Sequence, residues 1–203
     1  MRDEHEEILV VERRLIERLG MFQGLTFATD KYVPELLSPR NYRFVPRHKA
    51  EEDDSLKQLI PYFIICHADR VWCYTRGKRS GEGRLVAKVS IGIGGHINNE
   101  DLDLIENIYD RAAIRELEEE VAVPPGYVHQ IAALLNDDST SVGRVHLGVV
   151  HVLRTASADV RKNEQAITEA SFRTLEELRS LRDRMETWSQ ICFDRIGELL
   201  ARG

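Results

Sequence analysis

The chain has 203 residues, 42% of them hydrophobic and 31% charged, with a formal net charge of −6. That length and balance suit one folded domain with an appended arm, and exclude collagen-like, low-complexity and wholly disordered chains. A dispersed acidic surplus is a poor coat for nucleic acid or an anionic membrane, so an anionic ligand would need a metal ion or a local basic patch.

Residues 1 to about 20 carry Ile8, Val11, Leu15, Ile16 and Leu19 at helical spacing, which predicts a helix ending near Gly20. Residues 23–54 hold Pro34, Pro39 and Pro46 among scattered aromatics and read as an irregular arm. Its Phe27, Tyr32, Tyr42 and Phe44 could line a pocket, although covering a core or a dimer surface is the preferred reading. The expected division is therefore an N-terminal helix and irregular extension, 1–58, packing on a domain at 59–203. Within that domain, 61–66 and 71–75 flank His67-Ala68-Asp69-Arg70 as a hairpin. A basic, glycine-containing loop with Arg76, Lys78, Arg79 and Arg84 follows, then a strand over 85–93 that runs into Gly94-Gly95. Residues 102–121 have the apolar spacing of a helix, stopped by Pro124-Pro125-Gly126. Strands over 128–135 and 144–154 are joined by a turn-rich segment, and one long or two short helices close the chain from Thr174. The order is α/β, of the α+β mixed-sheet kind.

The helix at 102–121 carries the chemistry. Glu116, Glu119 and Glu120 stand at i, i+3 and i+4, so three carboxylates share one face. A solvated charged face is the commoner meaning of such a triplet. Here, however, a glycine pair at a strand end lies upstream, and Arg115 can reach Glu119 or a neighbouring acid and hold its carboxylate. Oxygen-only donors on a wet face suit Mg²⁺ or Mn²⁺ rather than zinc.

Arg115-Glu116-Leu117-Glu118-Glu119-Glu120-Val121 and Val123 resemble the second half of the Nudix box, Arg-Glu-U-x-Glu-Glu-x-Gly-U with U aliphatic. Two departures stand out. Ala122 replaces the late glycine, and positions 96–114 are six residues more than the pattern places between its first glycine and the arginine. Counting back from Arg115 puts Asn107 where the first glutamate belongs, with Glu106 and Glu100 as candidate replacements. The resemblance implies an α/β/α sandwich with a mixed sheet over roughly residues 59–200. It also implies hydrolysis of a phosphoanhydride in a nucleoside diphosphate linked to another group.

On the resemblance, Glu116, Glu119 and Glu120 are expected metal ligands, the Gly94 carbonyl a further one, and Arg115 their orienting partner. The base varies in the family, and the loop residue Glu164 is the expected one here, with Glu169 second. Arg76, Arg79 and Arg84 could contact phosphate oxygens or form a polar hairpin tip, and His96 could contact phosphate or shuttle a proton. His146 and His151, five positions apart, face opposite sides of a strand and are not expected to share a metal. A non-catalytic module that binds a nucleotide-like ligand is the alternative. The expected partner is a small phosphorylated molecule, with neither membrane nor nucleic acid, and the aromatic arm would permit a homodimer. Cys66, Cys73 and Cys192 are too few and scattered for a disulfide framework, no run nears the roughly 20 apolar residues of a membrane span, and no signal-peptide pattern opens the sequence. A cytoplasmic location is the expectation.

Overall fold

The structure, a computed structural model, describes residues 6–77, 87–99, 108–163 and 167–203. The chain opens with β1 (Glu7–Glu12), α1 (Arg13–Gly20), β2 (Gly24–Thr26), α2 (Thr29–Leu36), β3 (Tyr42–Pro46) and α3 (Arg47–Ala50). The middle holds β4 (Leu56–His67), β5 (Arg70–Arg76), β6 (Val89–Ser90), β7 (Ile93–Gly94), α4 (Ile108–Glu120), β8 (Val121–Ala122) and β9 (Val128–Asn136). It closes with α5 (Ser141–Arg144), β10 (His146–Arg154), β11 (Arg161–Lys162), β12 (Ile167–Thr174), α6 (Leu175–Leu181), a 3-10 turn (Arg182–Arg184), α7 (Thr187–Asp194) and α8 (Ile196–Leu200). Two compact units result. The first comprises Met1–Pro61, Gly94–Glu116 and Ala133–Val149; the second comprises Tyr62–Ile93, Leu117–Ala132 and Val150–Gly203.

In the first unit, β1 pairs antiparallel with β3, Val10 opposite Arg43, and with the start of β4, Val10 opposite Gln58. This corrects the helix expected from residue 1. Ile8, Leu9, Val10 and Val11 are all buried, so the run is apolar on both faces, as a doubly covered strand requires, and only Arg13 onward is helical. The expected irregular arm also contains elements, α2 with Pro34 in its last turn and strands β2 and β3. Tyr32 is buried there, its hydroxyl donating to the Gly20 carbonyl. β2 adds to the end of β9, Gly24 opposite Asn136.

The first unit's central polar contact is Lys57. Fully buried, it donates to Asp138 Oδ1 at 2.7 Å, to the Gly143 carbonyl at 2.8 Å and to the His146 carbonyl at 3.2 Å. Arg13 binds the same carboxylate. Burial draws the Lys57 ammonium below its usual pKa despite Asp138. For Asp138, desolvation is outweighed by hydrogen bonds from Lys57 and Arg13, which hold the carboxyl low.

In the second unit, the expected hairpin forms between β4 and β5, with Cys66 opposite Val71 and Ala68 at φ +51° in the turn. β12, absent from the expectations, pairs with β5 across a bulge between Thr168 and Ser171, where Glu169 takes φ +50°. Within the described residues the strand expected over 85–93 is two short strands, broken where Gly92 lies under the Tyr62 ring and any Cβ would overlap it. The closing segment is three short helices. Thr174 caps α6 through a capping box with Glu177, and Glu186 holds extended backbone before α7.

β4 and β10 ascend together. Gln58 N–H donates to the Val145 carbonyl in the first unit, and Thr155 N–H to the Cys66 carbonyl in the second, so the pairing is parallel. With antiparallel neighbours the sheet is mixed, and the fold is α/β as expected. Among the described residues no helix is long and apolar enough to cross a membrane.

His151, buried in the second unit, stacks on Phe63 with ring centroids 4.5 Å apart, its Nδ1 3.2 Å from that of His129. Burial, then repulsion from His129, pushes it down to about 3 from 6.5. Below pH 6.5 the unfolded chain takes up a proton that the native one refuses until about 3, so stability falls as pH drops through that window. Between pH 7 and 5, denaturant unfolding should lose roughly 2 kcal/mol more in the wild type than in His151→Gln. Parallel pH profiles would contradict this assignment.

Candidate active site

In the first unit, the loop after β7 is held by β1. Leu9 N–H donates to the Ile97 carbonyl at 2.8 Å, Ile8 bridges to Asn98, and Asn99 Nδ2 donates to Glu7 Oε2 at 3.0 Å. That loop carries Gly95 and His96. The Glu116 carboxylate rests against the Gly95 backbone, in the space a Cβ would take. Arg115 donates from Nη1 to Glu116 Oε1 at 2.6 Å and from Nη2 to the His96 carbonyl at 3.4 Å. Gly95, His96, Arg115 and Glu116, far apart in sequence, thus meet, and the acid that Arg115 holds is Glu116. Gly94 backs onto the Pro61 carbonyl, again where a side chain would collide.

Glu119 and Glu120 continue α4, where helical spacing keeps them on the face of Glu116. Glu119 is exposed and Glu120 partly buried. In the second unit the helix end is closed by Asn163, whose N–H donates to the Glu120 carbonyl at 2.8 Å and whose Nδ2 donates to the Glu118 carbonyl at 2.7 Å. Ala122 then sits in β8, opposite Arg161 of β11, so the exit takes extended backbone and needs no left-handed residue.

The other expected site residues separate. Glu164, Arg79, Arg84, Glu100 and Glu106 lie outside the described residues. Glu169 sits at the β12 bulge, with Oε2 accepting from the Thr75 hydroxyl at 3.0 Å. Arg76 is no hairpin tip: its Nε donates at 2.8 Å to Glu186, which is buried and also accepts from the Ser90 hydroxyl at 2.6 Å. Burial opposes the Arg76 charge, but Glu186 outweighs it and keeps the guanidinium's pKa raised.

One cluster was not expected. His96 Nε2 lies 3.3 Å from His146 Nε2 and 2.9 Å from Gln58 Oε1, with the Glu51 carboxylate close by. Burial first, then Arg47 and His146, pushes the His96 imidazole well below its usual pKa. His146 and His96 are 50 positions apart, and no local sequence signal links them. His151 belongs to the separate His129 pair.

The crystal structure of Tm1382, assigned to the Nudix hydrolases, superposes with a TM-score of 0.79 at 30% identity, covering 94% of this chain and 98% of that one. The chain belongs to the Nudix hydrolase family. It is therefore of a hydrolase class that acts on pyrophosphate bonds. Protein YmaB of Bacillus subtilis is 36% identical over 183 residues, 85% of this chain and 87% of that protein. The Nudix domain of Shewanella oneidensis NrtR, complexed with ADP-ribose, shares the fold at a TM-score of 0.53 and 14% identity, covering 71% and 88% of the two chains. No family model matches the chain.

In this Nudix hydrolase, the contact between Gly95 and Glu116 is predicted to set the carboxylate's position. Gly95→Ala should displace only the end of a flexible side chain, leaving the thermal midpoint within about 2 °C of wild type while catalytic efficiency with metal falls by roughly 10- to 100-fold. Unchanged kinetics in a folded variant would show that this contact does not place Glu116.

Proposed function

We propose that the protein hydrolyses the phosphoanhydride bond of a nucleoside diphosphate-linked or related small molecule, using Mg²⁺ or Mn²⁺. The observation that supports this most is the meeting of Gly95, Arg115 and Glu116, in which a box glutamate is already oriented by an arginine against a bare backbone. The donor set fits the ion: carboxylates from Glu116, Glu119 and Glu120, with the Gly94 carbonyl, are all hard oxygens. A divalent ion held there would neutralise non-bridging phosphate oxygens and make a bound water more acidic.

The remaining roles fall to this chain's side chains. Arg115 keeps Glu116 from swinging away and offsets part of the repulsion along the acidic face. Glu164 takes the proton of the attacking water as its oxygen adds to phosphorus; the anhydride P–O bond breaks, and its electrons leave with the departing phosphate. Arg79 and Arg84 contact phosphate oxygens, while His96 serves the site through its carbonyl, which accepts from Arg115. Arg76 stays with Glu186 and acts on the site only by ordering the strand from which the basic loop departs.

The ADP-ribose held by the NrtR domain, on the same fold, supports a nucleoside diphosphate as the group to screen first. The three described cysteines are free, which supports a reducing, cytoplasmic setting. A homodimer through the N-terminal segment belongs to the same reading.

Glu119→Gln and Glu120→Gln should each lower metal-dependent turnover by roughly 100-fold or more while leaving the far-ultraviolet spectrum unchanged. The readout is product release across a panel of nucleoside diphosphate derivatives with Mg²⁺ and Mn²⁺. Full activity in both variants would sink the assignment, and saturable binding without product would favour the non-catalytic module.

A further inference from the structure

The cluster around His96 and His146 has a donor chemistry that the carboxylate face lacks. We propose that Glu51, His96 and His146, assisted by the Gln58 amide oxygen, form a second metal site that takes a borderline transition ion such as Zn²⁺.

The distances support this. Two imidazole nitrogens bound to zinc at about 2.0–2.1 Å and at the tetrahedral angle stand about 3.3–3.4 Å apart. The two Nε2 atoms here are 3.3 Å apart. All three donor groups have ligand atoms within 4.8 Å of one another. Glu51, just beyond α3, is exposed, so its carboxylate can close the remaining gap by rotating.

The surroundings prepare the nitrogens. His146 Nδ1 is 2.7 Å from the Val142 carbonyl, which can only accept, so Nδ1 carries the proton and Nε2 presents its lone pair. Gln58 is fully buried, with its Oε1 2.9 Å from His96 Nε2, while its Nε2 has no partner. Without metal, one proton on His96 Nε2 can bridge Gln58 and His146. When metal binds, that proton moves to Nδ1 or to solvent, and the ion takes its place.

One charge competes. Arg47 pairs with Glu51 at 3.6 Å and with Glu6 at 3.0 Å, so ligation by Glu51 leaves Arg47 to Glu6. The two sites are distinguished by donor type. Hard carboxylates suit Mg²⁺, whereas a pair of imidazoles with one carboxylate suits zinc or cobalt. Because the His96 carbonyl accepts from Arg115, an ion at His96 would also brace the loop against which Glu116 rests.

The test uses the full chain stripped with a chelator. Titration with Co²⁺ should give one equivalent of the visible absorption of a nitrogen-ligated ion, and Zn²⁺ should displace it. Zinc affinity, read by competition with a chromophoric chelator, should fall by at least about 10- to 100-fold in Glu51→Ala and in His96→Ala. Glu51 is a surface residue, so its variant remains informative even if His96→Ala misfolds. Glu120→Gln should bind Co²⁺ as the wild type does, which separates this proposal from the hydrolase reading. A wild-type protein without the cobalt absorption would overturn the proposal. So would a folded Glu51→Ala that binds zinc as tightly as the wild type; the cluster would then be only a hydrogen-bonded histidine pair.

Discussion

A charge taken out of water must find partners, and each unit of this protein is arranged around one that has. In the first unit the charge is Lys57, whose ammonium joins β4 to Asp138 and to the carbonyls of Gly143 and His146. In the second it is Glu186, which collects Arg76 from β5, Ser90 from β6 and Tyr62 from β4 while its own backbone begins α7. Buried ion pairs seldom add much net stability relative to apolar packing, because desolvation consumes most of the attraction. They do penalise any arrangement that leaves one partner alone. The geometry of the segments that end in Gly92 and begin after Asn136 is thereby restricted to arrangements that keep the partners in reach.

That restriction matters because the placement of the Glu116 carboxylate depends on closeness rather than on any unusual residue. Glu116 is placed by the lack of a side chain at Gly95 and by a neighbouring arginine. The loop bearing Gly95 is in turn pinned by backbone hydrogen bonding to β1. The N-terminal segment, which the sequence presents as an extension, therefore supplies the strand that holds the box's glycine turn. It also supplies Gln58 and Glu51 to the histidine cluster.

What the sequence made legible was periodic or local. The hairpin at β4 and β5, helix α4, strands β9 and β10 and the glutamates with their arginine all follow from spacing within about a dozen residues. What it concealed was decided elsewhere in the chain. The run Ile8–Val11 meets the helical template through Ile8 and Val11, but β3 and β4 cover it on either edge, and the strand wins. β12 carries Glu169 and Ser171 and lacks a clean alternation, since a bulge shifts its register. The meeting of His96 with His146, and of Arg76 with Glu186, spans 50 and 110 positions, and no pattern in one sequence reports such contacts.

The two departures from the box pattern now have different standing. A glycine after the glutamate pair is useful where the chain must leave a helix through left-handed backbone. Here the exit is made another way: α4 passes directly into β8, Ala122 pairs with Arg161, and Asn163 satisfies the carbonyls of Glu118 and Glu120. Nothing is left for a glycine to do, so Ala122 is no sign of a disabled enzyme. The greater spacing between Gly95 and Arg115 likewise does not part them, because they still meet through Glu116 and the His96 carbonyl. What this chain retains is thus a contact between a bare backbone and an oriented carboxylate, and spacing along the chain is only one way to achieve it.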